Sequence, residues 1–147
     1  MGSNTAIVAA VSLAAALGLA SGPAAAQNTN AAQKPDASKP QITRNEILNA
    51  PLDGLKGYDG VMYITDIPPG MAAARHSHPG YEFNYILKGS VSYEPDGQKP
   101  FTLKAGQGTY NPANHIHKVW NPSKTEPAEL VAVLIKEHGK PLAIPAQ

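Results

Sequence analysis

Three histidines and one glutamate hold most of the chemistry this sequence can perform: His76, His78, Glu82 and His117. Imidazole nitrogens and a carboxylate oxygen suit a borderline divalent cation, and four protein ligands leave a five- or six-coordinate ion room for water or substrate. In an extended strand, side chains at i and i+2 share a face, so His76 and His78 can project into one interior. Glu82 keeps that parity four residues on, across a turn at Pro79-Gly80, and His117 comes from a distant strand. The chain has no cysteine, which removes thiolate ligands and thiolate nucleophiles together. The expected cofactor is therefore one divalent ion, Fe, Mn, Ni, Cu or Zn, and ligand type does not choose among them.

Counting by twos from Glu82 places Asn84 and Ile86 on the same inward face, where Asn84 could orient a bound water or a substrate oxygen. His115 lies two residues before His117. It shares that face if the strand has already begun, as a pocket acid or base, and is otherwise a turn residue at the rim. Tyr81, Phe83, Tyr85 and Trp120 then face outward, as packing between sheets or as a subunit interface. Tyr63, Met71 and Tyr110 are candidate pocket walls, Arg75 a rim or surface charge, and His138, in a polar tail, is given no site role.

These residues need strands to position them. Gly60–Ile67, Phe83–Leu87, Ser90–Tyr93, Phe101–Leu103, Gly108–Tyr110, Ile116–Trp120 and Glu129–Ile135 are short β-type runs separated by turn signals, with Asp96-Gly97 marking a hairpin. The one helical hint is weak, at Asn45–Asn49. With 13 Gly and 14 Pro, the pattern is that of a single all-β domain, an antiparallel sandwich or barrel, over residues 42–147. Before it, residues 1–26 read as a signal peptide: an uncharged apolar run from Ala6 to Ala20, a break at Ser21-Gly22-Pro23, then Ala24-Ala25-Ala26. Met1–Thr5 lacks the usual Lys or Arg. Residues 27–41 are polar with nothing to bury and are expected to be a disordered leader. The implied location is a bacterial periplasm or the medium. Twelve basic against eleven acidic residues, 12 Lys+Arg and 11 Asp+Glu, suggest neither nucleic acid nor an anionic membrane surface as a partner.

The spacing Gly70-x5-His76-x-His78-x3-Glu82-x6-Gly89 resembles the first motif of the cupin superfamily, and Gly106-x5-Pro112-x-Asn114-x2-His117-x3-Asn121 resembles its second. The resemblance implies a double-stranded β-helix (jelly-roll) barrel, a metal held by His76, His78, Glu82 and His117, and a homodimer. One position departs from the pattern, Asn114 standing where glycine is usual, and Asn tolerates the left-handed region. The HxHPGxE motif and Gly139-Lys-Pro-Leu142 are similar to the quercetin-dioxygenase-like small cupins, implying a dioxygenase-like enzyme acting on a small oxygenated organic substrate. Two other classes stay open: a non-redox metal-dependent isomerase or lyase, and a non-catalytic module that binds a small molecule or metal.

Overall fold

The computed structural model describes residues 39–147. The signal-peptide reading of residues 1–26 and the leader reading as far as residue 38 lie outside the described residues.

Every regular element described is a strand, and the strands form two five-stranded antiparallel sheets. The first runs in the order β1 (Thr43–Pro51), β2 (Tyr58–Ile67), β9 (Ala128–Glu137), β4 (Gly80–Lys88), β7 (Gly108–Asn111). The second runs β10 (Ile144–Pro145), β3 (His76–Ser77), β8 (His117–Trp120), β5 (Ser90–Pro95), β6 (Phe101–Lys104). Neighbours in each sheet are mostly distant in sequence, which is the jelly-roll architecture. Strict alternation makes the core. In β2, β4 and β9 every second side chain is buried. Val61, Ile86, Ala132 and Leu134 from the first sheet pack with Val91, Tyr93 and Val119 from the second.

The helical hint at Asn45–Asn49 is overturned: the segment lies within β1, paired with β2 through a register shift between Glu46 and Leu48. Ile47 and Leu48 are both more than half exposed, so a helix here would bury no apolar stripe. A single isolated turn does not hold in water, whereas the β2 edge offers partners for the backbone.

Two turns aim the site. Asp96-Gly97 closes the β5–β6 hairpin, with the Gln98 N–H donating to the Pro95 carbonyl at 3.1 Å. Asn114 has φ 60° and is the one non-glycine with positive φ among the described residues, so the turn before β8 is kept without glycine. Beyond β8, Asn121 is buried and braces the way into β9. Its Nδ2 donates to the Ile67 and Glu126 carbonyls at 3.0 and 2.8 Å, and its Oδ1 accepts from the Ser123 N–H at 2.9 Å. Asn121→Ala leaves these groups without partners. It is expected to cost about 2–3 kcal/mol in urea unfolding, and a loss under 0.5 kcal/mol would contradict that role.

Candidate metal centre

The three histidines converge because β3 pairs with β8 so that His76 lies directly opposite His117. His78 follows two residues later, beyond the end of β3. All three are buried, and one ligand nitrogen from each lies within 4.8 Å of the others. Their tautomers are set by backbone. His76 Nδ1 meets the Ala74 carbonyl at 2.7 Å, His78 Nδ1 the Leu142 carbonyl at 2.6 Å, and His117 Nδ1 the His115 carbonyl at 3.1 Å. A carbonyl only accepts, so each Nδ1 carries the proton and each Nε2 keeps its lone pair. The Nε2 atoms of His78 and His117 are buried with no hydrogen-bond partner. Buried lone pairs with no donor are costly unless something occupies them. The donor set therefore fits a divalent cation: three imidazoles with their second nitrogens fixed on backbone carbonyls and their free ends gathered beside a carboxylate.

Glu82 adjoins the trio, with Oε2 3.3 Å from His78 Nε2 and 4.0 Å from His117 Nε2. Its own carboxylate is held by three donors: Tyr63 OH on Oε1 at 2.6 Å, and the Asn84 and Asn111 amides on Oε2 at 2.9 and 2.6 Å. Burial would push this carboxyl up, but the contacts from His78, Tyr63 and Asn84 outweigh it and hold the group ionised, far below the usual carboxylate range. Burial pulls His76 down and His117 down to about 4. On His78 burial acts in the same direction, and the neighbouring carboxylate more than offsets it, raising the imidazole above its ordinary value.

The remaining sequence candidates fall into place differently. Tyr63 is a wall of the inner cavity and Met71 of the outer one. Asn84 faces inward as the count by twos expects, but its amide nitrogen is committed to Glu82, so it acts through that carboxylate. The parity argument for His115 lapses because β8 begins only at His117. His115 sits half-buried in the preceding turn, and its carbonyl rather than its imidazole serves the site. Tyr110 is not a pocket wall: it is exposed on the outer face of the first sheet, packed on Phe83 with ring centroids 5.2 Å apart. Arg75 is a surface charge paired with Asp96. Asn111 and the Leu142 carbonyl were not foreseen, since Asn111 meets Glu82 only through the β4–β7 register.

The site opens to a narrow inner chamber of about 30 Å³, walled by Tyr63, Thr65, His76, Glu82, Tyr93 and His117 among others. A wider outer chamber of about 330 Å³ shares Ile42, Arg44, Ala73 and His76 with it and reaches Arg75 and Pro145.

Fold and site together define a class: a two-sheet jelly roll with three histidines turned into its interior. The family model described as Cupin domain matches residues 63–134. A cupin-like protein from Thermotoga maritima superposes with a TM-score of 0.60 at 20% identity, over 78% of this chain and 84% of that one. An uncharacterised double-stranded β-helix protein from Klebsiella pneumoniae gives 0.58 at 23%, over 76% and 90%. A DMSP lyase from Ruegeria pomeroyi gives 0.53 at 21% identity, over 59% of this chain, which spans only 43% of the lyase. No curated protein matches the sequence. Residues 63–134, which carry His76, His78, Glu82 and His117, are a cupin domain.

Proposed function

We propose that this protein is an exported, metal-dependent enzyme that holds one divalent ion on His76, His78, Glu82 and His117 and acts on a small oxygenated organic substrate. One observation supports this above the others: the Nδ1 atoms of all three histidines are bonded to backbone carbonyls, leaving buried Nε2 lone pairs beside an ionised carboxylate. A bound ion would polarise a substrate oxygen and, if redox-active, support reaction with O2. The chain's own residues orient the ligands through Asn84, Asn111 and Tyr63, exclude bulk water, and admit substrate past Arg44 and Ala73.

The leading reading is dioxygenase-like, on the resemblance of the HxHPGxE motif. A non-redox isomerase or lyase is the second, favoured by the Tyr93 hydroxyl, which is buried in the chamber wall without a partner and is available to hold a proton or hydrogen-bond a substrate. Oxygen-electrode assays with flavonols and β-diketones on iron-, nickel- and copper-loaded protein separate the two. Uptake coupled to substrate loss supports the first, and turnover under argon with zinc supports the second. Tight binding without turnover in either condition would leave the non-catalytic module as the better account.

We also propose a homodimer through the outer face of the first sheet. An antiparallel sheet usually turns a polar face to water. Here Leu48, Met62, Val133, Phe83 and Tyr110 form one apolar row across all five strands, and Ile64, Val131 and Tyr85 begin a second. Tyr81, Phe83, Tyr85 and Tyr110 are each 43–49% exposed. At about 150–250 Å² per aromatic side chain, these four rings expose about 300–450 Å². Ile47, Leu48 and Leu87 extend the patch towards the roughly 800 Å² per partner of a stable interface. A second copy fits because both rows are apolar, the acidic residues of this face, Asp66, Glu129 and Glu137, lying at its two ends. Sedimentation equilibrium is expected to give a dimer for wild type and a monomer for Phe83→Glu. A monomeric wild type at about 100 μM, whether the face is open or covered by another part of the chain, would overturn it.

A further inference from the structure

The inner chamber has a second polar set with no hydrogen bond to the ligand cluster. Thr65 and Tyr93 are 4% and 1% exposed, both line the chamber, and their hydroxyl oxygens are buried without a hydrogen-bond partner. Arg44 stands directly opposite Thr65 in the β1–β2 register. Directly opposed residues of an antiparallel pair project to the same face, so Arg44 lies on the cavity side of β1; it is exposed, at the mouth, and borders both chambers. Among the described residues the arginine and lysine ion pairs join Arg75 to Asp96 and Lys136 to Asp59, and no carboxylate pairs with Arg44. Burial and the Glu82 charge push the Tyr93 phenol above its ordinary range, so it stays a hydrogen-bond donor.

A guanidinium and two unused hydroxyls lining one small chamber can make a receptor for a planar anion. Arginine's fork matches a carboxylate bidentately, and buried hydroxyls without partners are costly until something fills them. Beside His76 and Arg75, whose charge is paired with Asp96, the entrance is walled by Ile42, Met71, Ala72–Ala74, Ala143 and Pro145, an apolar stretch that suits a short hydrocarbon body. We propose that Arg44, Thr65 and Tyr93 bind the carboxylate of the substrate, so that the substrate class is small organic acids bearing a second oxygen within reach of the histidine cluster. The second oxygen rests on the metal reading of the preceding subsection; the carboxylate site does not. Arg44 also sets specificity by selecting acids over neutral analogues of the same shape.

The test is an NMR titration of ¹⁵N-labelled protein with lactate and lactamide, which share a hydroxyl and a carbon skeleton and differ in presenting a carboxylate or a neutral amide. It is run on zinc-loaded and on chelator-stripped samples of wild type, Arg44→Gln, Arg44→Lys, Thr65→Val and Tyr93→Phe. Lactate is expected to bind at least about tenfold more tightly than lactamide, with shifts at Thr65 and Tyr93. Arg44→Gln should abolish the preference, Arg44→Lys should keep part of it, and each hydroxyl deletion should weaken lactate several-fold. Equal binding of acid and amide, no binding of either, or a preference surviving in Arg44→Gln would overturn the proposal. Protein that retains no zinc yet prefers lactate through Arg44 would count against the metal reading alone. Retained zinc without acid preference would count against the carboxylate site alone.

Discussion

Gly80→Ala is expected to leave little soluble protein, and what survives should have lost several kcal/mol of stability. The glycine opens β4 opposite Lys136 in β9. A Cβ there would lie 2.5 Å from the Lys136 Cα and 2.7 Å from the Ile135 carbonyl carbon. These are backbone atoms, so no side chain can swing aside, and the two strands would have to part in the middle of the sheet. Total stabilities of about 5–15 kcal/mol leave little reserve for that. The damage also reaches the site, since Gly80 is two residues from both His78 and Glu82 and fixes their separation. Gly54→Ala is the control: nothing lies within 4 Å of its added methyl, and the change should stay within about 0.5 kcal/mol. A urea midpoint for Gly80→Ala matching wild type would show that β4 and β9 do not approach as described.

Glu82→Ala is expected to destabilise the metal-free protein by about 2–4 kcal/mol and to weaken zinc binding by at least about a hundredfold. The carboxylate accepts from Tyr63, Asn84 and Asn111, all buried. Removing it strands three donors at about 1–3 kcal/mol each, partly offset by water entering the gap and by relief of a buried charge. The pH dependence has a definite sign. The folded carboxyl lies below its ordinary value of 4.5, so its contribution is complete above that value and is lost as pH falls through the folded range. The stability gap between wild type and Glu82→Ala should therefore be widest near neutral pH and close in acid. Metal-free Glu82→Ala as stable as wild type at pH 7 would remove the carboxylate from its central position.

The strands were legible because their chemistry is local. Alternation in Gly60–Ile67 and Glu129–Ile135, the Asp96-Gly97 turn and the tolerance of Asn114 for positive φ all follow from a few adjacent residues. Grouping His76, His78 and His117 required only the motif spacings, and the structure brings them within 4.8 Å. What escaped depends on register. Asn111 meets Glu82, and Arg44 faces Thr65, only through pairings of strands far apart in the chain. Tyr110 was misplaced for the same reason: one residue of parity separates it from the inward-facing Asn111. β1 was missed because its exposed Ile47-Leu48 step breaks alternation at the register shift. His115 shows the limit of counting by twos, which holds only once a strand has begun.

The most direct test of the metal centre is elemental analysis of protein purified without chelator or affinity metal. Close to one divalent ion per chain is expected in wild type, and almost none in His76→Ala/His117→Ala, whose folding is checked by circular dichroism. A folded double variant with the same metal content as wild type would contradict the site.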